Sequence, residues 1–181
     1  MRTLRHRPQP GIADALRSVY LAARSDVLVF CPADLQFKPE DIPRLVAPIL
    51  AGESDMVTGF KQGDYEKAFV SRIYNGLSRL LFHIPVRDLN NVKAYRREVM
   101  ADQPVRPAWY RYMLVLAAAQ GYSLTEITVP LYPLHAGRST FCVLWIPSCV
   151  HELIVVGFEL SVAPNHLLSW GVLWRAIFSS V

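Results

Sequence analysis

Residues 26–31, Asp-Val-Leu-Val-Phe-Cys, constrain the fold more than any other stretch of this chain. The run is β-branched, apolar and bounded by polar residues, with no alternation that would give it a wet face. Such a strand reads as buried on both sides, the pattern of parallel sheets in α/β proteins. Its surroundings agree. Residues 11–24 place Ile12, Ala15, Leu16, Val19 and Ala22/Ala23 near helical spacing. Residues 40–51 read as a second helix, entered through Pro39 with acids near its positive end and closed by Gly52. Residues 55–59, Asp-Met-Val-Thr-Gly, read as a second strand. Helix, strand, helix, strand at these lengths predicts a parallel sheet with right-handed crossovers.

The pattern continues. Residues 65–82 form a long helix carrying Phe69, Ile73, Leu77 and Leu80/Leu81, ended by Pro85. Residues 92–96 are a short strand, 107–120 a helix ending at Gly121, and 124–129 an alternating strand. There is no internal repeat and no low-complexity linker. The one change of composition falls around residues 137–141. From Phe141 to Val181 the only charged side chains are Glu152, Glu159 and Arg175, and three of the four tryptophans (Trp145, Trp170, Trp174) lie there. We therefore divide the chain into a globular part, 1–140, and a hydrophobic helical tail, 141–181. The tail predicts two helices, about 143–160 and 167–178, with Asn165 an N-cap for the second. Pro147, His151 and Glu152 interrupt the first, and the second is shorter than the ~20 residues a span needs. Two interfacial helices with tryptophans at headgroup level fit better than a membrane span; a helical cap on the sheet is the other reading.

With 181 residues the chain can bury one ordinary core. Its formal charge is +4, and Arg2, Arg5, Arg7, Arg17 and Arg24 face a single acid, Asp14, in the first 24 residues. That basic end suits anionic headgroups or a phosphate-bearing ligand, or is a solvated terminus. Nucleic acid is not expected, because no motif or aromatic-basic interleaving supports it. Cys31, Cys142 and Cys149 are odd in number and lack a C-x-x-C, so free thiols in a reducing, cytosol-facing compartment are expected. No signal peptide is visible.

The chemistry concentrates after the first strand, in Cys31-Pro32-Ala33-Asp34-Leu35-Gln36. An aspartate and a glutamine two apart can turn two oxygens towards one ion, and open α/β sheets hold ligands outside the carboxyl ends of their strands. The same residues also suit a plain strand-end turn with Asp34 accepting from local backbone. Arg72, Lys93, Arg96 and Arg97 could grip a phosphate or could be solvated face charges. Asp88 follows Arg87 at a helix-to-loop junction, where it could also be a simple cap.

In order and spacing, several motifs resemble those of family-2 glycosyltransferases of the GT-A fold, especially the dolichyl- and undecaprenyl-phosphate mannose synthase-like sugar transferases. Asp34-Leu35-Gln36 is similar to the end of their D-A-D-L-Q segment, and Gly59-Phe60-Lys61 stands where they have G-S-R. Ser71-Arg72-Ile73-Tyr74-Asn75 matches S-R-x-x-N, followed by Pro85-Val86-Arg87-Asp88. Lys93-Ala94-Tyr95-Arg96-Arg97 matches R/K-A-Y-R-R. Gly121-Tyr122, Glu126-Ile127 and Val129-Pro130 match G-Y-x-x-x-E-I-x-V-P, and Gly137-Arg138-Ser139 matches G-R/K-S. The resemblance covers residues 10–145.

The resemblance implies an α/β, Rossmann-like GT-A sheet, incomplete at its N-terminal edge, with membrane-interface helices at the C-terminus. It implies transfer of a sugar from a nucleotide-sugar donor to a polyprenyl-phosphate or related lipid acceptor at the cytoplasmic face of the membrane, in cell-envelope glycan synthesis. Asp34 and Gln36 would hold a divalent cation, Mg or Mn, weakly. Asp88 and Arg72 would be catalytic, Asp88 by positioning or activating the acceptor. Lys61, Asn75, Lys93, Arg96, Arg97, Arg138 and Ser139 would bind the donor or its phosphates. The chain also departs from the pattern. The opening P-A-Y-N-E strand is not in it, Pro32 stands at the first aspartate, Tyr112 at an acid and Leu134 at an arginine. A second expectation follows: a non-catalytic homologue acting as a membrane-associated binding module for an intact glycosyltransferase or a membrane protein.

Overall fold

A computed structural model describes residues 11–34, 36–62, 68–89, 91–101, 109–132 and 146–162. The elements in chain order are α1 (Ile12–Ala22), β1 (Val27–Phe30), α2 (Ile42–Leu50), β2 (Met56–Gln62), α3 (Ala68–Phe82), β3 (Lys93–Arg96), α4 (Arg97–Ala101), α5 (Met113–Ala119), β4 (Leu124–Pro130) and α6 (Ile146–Val162). Short 3-10 turns, Pro39–Asp41 and Trp109–Tyr112, lead into α2 and α5. Gly52, at φ 76°, closes α2, and Gly121, at φ 86°, follows α5. Both sit in the left-handed region that glycine enters without a Cβ penalty.

The four strands form one sheet in the order β1-β3-β2-β4. β4 runs parallel to β2, but β3 lies between β1 and β2 and is antiparallel to both. The sheet is therefore mixed, which corrects the expectation of an all-parallel one. The cause is the segment between α3 and β3. α3 has 15 residues and covers ~22 Å. The ten residues 83–92 can reach beyond 30 Å when extended, far enough to run back along it. His83, at φ 52°, ends the helix. Ile84, Val86, Leu89 and Val92 then bury themselves instead of looping through solvent. The Leu89 amide donates to Asn75 Oδ1 on α3 at 3.5 Å. The chain thus returns to the carboxyl ends of β1 and β2, and β3 can only start there and run backwards.

β2 alternates between two cores. On one face Met56 joins Tyr95, α5 (Leu114, Leu116) and α6 (Leu153, Val156). On the other, Val57, Val92, Ala94 and Val129 meet Leu45 and Ile49 of α2 and Phe37. Two-sided burial was expected of β1 instead. That strand lies at the edge of the described sheet, and its four residues are only partly buried.

Of the tail, α6 stands close to the helix expected at 143–160. It buries Leu153 and Val156 and exposes Ile154 and Phe158. Among the described residues no helix is long and apolar enough to cross a membrane. The helix expected at 167–178 and the basic residues before position 11 lie outside the described residues.

Candidate active site

The strand register assembles a charged cluster at the carboxyl ends of β1 and β2. Lys93, the first residue of β3, pairs with Phe30, the last of β1, and with Thr58 of β2. Its side chain is fully buried, and Nζ donates to the Asn91 carbonyl at 2.9 Å and lies 5.6 Å from the centroid of the Phe30 ring. Burial draws the Lys93 ammonium down to about 8, against the opposing pull of the Asp88 carboxylate and with a further push from Lys61. Asp88 is itself buried, with Oδ2 3.8 Å from Lys61 Nζ at the end of β2. Thr58 Oγ1 donates to the Asp88 backbone carbonyl at 3.3 Å.

Asn91, which the sequence reading passed over, fastens this cluster. It is 1% exposed; its Nδ2 donates to the Gly59 carbonyl at 2.5 Å and its Oδ1 accepts from the Val92 amide at 2.8 Å. One carboxamide thereby ties β2 to the entry of β3 and orients the carbonyl that receives Lys93. The available signal was an asparagine directly before the strand expected at residues 92–96, a weak mark. Gly59 is required beside it. A Cβ there would stand 2.6 Å from Val129 Cγ2 and 2.8 Å from Val92 Cγ1. Asn75, expected at the site, reaches it through Leu89 on the returning segment.

Arg96 and Arg97 lie elsewhere. β3 separates Lys93 from Arg96 by ~10 Å, so both arginines fall at the amino ends of β1 and β2. Arg96 Nη2 donates to the Ile49 carbonyl at 3.1 Å, and its Nε lies 3.3 Å from Asp55 Oδ1. Arg97 Nη1 donates to the Ala23 carbonyl, and the guanidinium stands over the Tyr20 ring at 5.1 Å. Asp55 also accepts from Ser123 Oγ at 2.7 Å, and the Ser123 hydrogen bonds, more than the Arg96 charge, hold its carboxyl below the usual range. These cations fasten helices to the sheet. Arg72 belongs to α3, but its side chain, like Arg138 and Ser139 as a whole, lies outside the described residues.

Asp34 is exposed after β1, and its Oδ1 accepts from the Gln36 amide at 3.1 Å. This is the strand-end turn that the sequence also allowed. Gln36 Nε2 donates to the Tyr132 carbonyl at 3.5 Å. Among the described residues no three His, Cys, Asp or Glu side chains converge on one point. The donor set nevertheless suits a divalent cation in part. The second Asp34 oxygen and Gln36 Oε1 are hard oxygens, and the remaining positions would fall to diphosphate and water. Burial, with the Asp34 charge added, pushes the neighbouring Cys31 thiol up, away from a nucleophile's range.

A sheet with Lys61, Asp88 and Lys93 gathered at its strand carboxyl ends places charge where open α/β folds hold their ligands. The profile of Glycosyl transferase family 2 matches residues 2–101, a span that includes Asp34, Lys61, Asp88 and Lys93. The chain belongs to glycosyl transferase family 2. An uncharacterised glycosyltransferase of Mycobacterium tuberculosis (strain H37Rv) is 30% identical over 141 residues, covering 73% of this chain and 64% of that protein. Glycosyltransferase AglD of Haloferax volcanii is 31% identical over 136 residues, 68% of this chain and 22% of that protein. The chain thus spans less than two thirds of these relatives. Among solved structures, glucosyl-3-phosphoglycerate synthase of Mycobacterium tuberculosis, in complex with Mn2+, UDP and glucosyl-3-phosphoglycerate, superposes with a TM-score of 0.59 at 22% identity, covering 84% of this chain and 55% of that one. The same enzyme has been solved with Mg2+ and UDP, with a TM-score of 0.60 at 21% identity and 84% and 54% coverage. At these identities the likeness is one of fold, and it is to the GT-A-like sheet.

Proposed function

We propose that this chain carries the site of a family 2 glycosyltransferase that moves a sugar from a nucleotide-sugar donor to a phosphate-bearing acceptor, a polyprenyl phosphate or related lipid, at the cytoplasmic membrane face. The observation behind this reading is the Lys61–Asp88–Lys93 cluster at the carboxyl end of the sheet, where the buried Lys93 and the part-exposed Lys61 both lie near the buried Asp88 carboxylate. In such a low-dielectric setting, fixed positive charge stabilises a developing diphosphate strongly. Lys61 and Lys93 would supply that charge, and Asp88 would orient the acceptor. A divalent cation held by Asp34 and Gln36 would act as a Lewis acid on the departing diphosphate. The exposed Ile154 and Phe158 of α6, and Leu80 and Leu81 of α3, support the membrane part of the reading.

A second reading, a non-catalytic homologue, rests on Pro32, which offers no ligand, and on Tyr112. Tyr112 stands where the family carries an acid and is fully buried in the main core. One assay separates the two: release of nucleoside diphosphate from UDP- and GDP-sugars with a polyprenyl-phosphate acceptor and Mn2+. Turnover that falls ~10²-fold or more in Asp34→Ala and Asp88→Asn supports the enzyme. Background release that neither substitution alters supports the binding module.

A further inference from the structure

β1 and β4 are the two edges of the described sheet. Three strand spacings put them ~14 Å apart. Yet the segments that follow them meet. The Tyr132 amide donates to the Gln36 carbonyl at 3.1 Å, Gln36 Nε2 donates back to the Tyr132 carbonyl at 3.5 Å, and Lys38 Nζ stands 4.2 Å from the centroid of the Tyr132 ring. Beneath them Phe37 is 7% exposed in the core that Val129 shares, and Leu131 packs on the same core. Those two apolar anchors suffice to seat both segments. What the polar contacts add is the orientation of one carboxamide. A backbone carbonyl can only accept, so it must face the NH2 end of Gln36. Oε1 is then turned away from Tyr132, on the same turn whose amide holds Asp34 Oδ1.

We propose that Tyr132 is a positioning residue: its backbone carbonyl selects the Gln36 orientation that presents an oxygen beside Asp34, and its ring, pinned by Lys38, keeps that carbonyl in place. The inference rests on the cation reading above. It makes the strap from the far edge of the sheet part of the ion site without touching the ion. Outer partners of this kind typically change metal affinity 10–100-fold.

The test is calorimetric titration of Mn2+ into the full chain with saturating UDP or GDP, whichever binds more tightly, alongside nucleotide titration in EDTA and thermal unfolding. Tyr132→Pro, which removes the amide that holds Gln36, should weaken Mn2+ about tenfold. Tyr132→Leu, which removes the ring but keeps the amide, should weaken it less, and it carries the test if the proline variant does not fold. Nucleotide affinity in EDTA and the unfolding temperature should stay unchanged, and Tyr132→Phe should restore Mn2+ affinity. If both Tyr132 variants bind Mn2+ as the wild type does while Asp34→Ala loses it, the positioning role is wrong and the cation reading stands. If Asp34→Ala also binds normally, or the wild type shows no Mn2+-dependent nucleotide binding, the cation reading falls and takes the inference with it.

Discussion

Replacing Lys93 with methionine tests the cluster through its pH dependence. The folded ammonium releases its proton at about 8 because burial disfavours the charged form. The unfolded lysine holds its proton to ~10.4. Between these values the unfolded chain binds more protons than the folded one, so stability rises with pH. The slope is ~1.4 kcal/mol per pH unit, and the whole gap amounts to about 3 kcal/mol. Below pH 8 both states are protonated and the full penalty of burial is present. Two neighbours oppose the rise: the buried Tyr95 phenol, pushed up to about 12, and the Cys31 thiol, pushed up by burial. Both stay protonated in the fold after the unfolded chain has ionised, and both therefore lower stability as pH rises. The difference between wild type and Lys93→Met cancels them. Urea unfolding at several values from pH 7 to 10.5 should show the wild type gaining on Lys93→Met by 1 kcal/mol or more per unit above pH 8. Two parallel curves would refute the buried-ammonium reasoning, whatever their vertical offset.

Gly59→Ala should cost ~1–3 kcal/mol in urea unfolding, because its Cβ would stand 2.6 Å and 2.8 Å from methyl groups of Val129 and Val92 in the packed sheet; a loss under 0.5 kcal/mol would show that the contact relaxes freely. The full chain should float with anionic liposomes, and a double Ile154→Asp, Phe158→Asp variant should float less than a Leu50→Asp control, since Leu50 is also exposed but lies on α2; equal flotation of the two would remove α6 from the membrane reading.

Much of the framework was legible because local patterns fixed it. Gly52 stopped α2, and the short stretch Asp55–Gly59 marked the position of β2. The direction of β3 was not legible. It depends on where residues 83–92 pack, and Ile84, Val86 and Leu89, interrupted by Pro85, Arg87 and Asp88, read locally as a loop. The site was legible only in part for a related reason. The motif Lys93-Ala94-Tyr95-Arg96-Arg97 offers three cations as one group in sequence. An extended strand parts them, and only the register, Lys93 opposite Phe30 and Arg96 opposite Val27, says which end each one serves. Nor does any local signal say that Lys93 sinks into the interior, because the groups that receive it, the Asn91 carbonyl and the Asp88 carboxylate, arrive on the returning segment.

The parting of those cations has a functional logic. Arg96 and Arg97 give their guanidinium donors to backbone carbonyls of Ile49 and Ala23, so their charge is held where it joins helices to the sheet. Lys93 donates to a neutral carbonyl, that of Asn91, and lies near the Asp88 carboxylate, which also pairs with Lys61. Burial disfavours the charged form of Lys93 even with the Asp88 carboxylate near it. A buried lysine that destabilises the fold by ~3 kcal/mol is hard to explain by packing, since methionine would fill the volume without the penalty. It is readily explained if that buried charge faces an anion in the reaction proposed above. Fixed charge of that kind stabilises the leaving diphosphate without reorganising as the bond breaks. On this argument Lys93→Met should gain stability at neutral pH and, if the chain transfers sugar as proposed, should lose that transfer, both through the removal of one buried ammonium at the carboxyl end of β1.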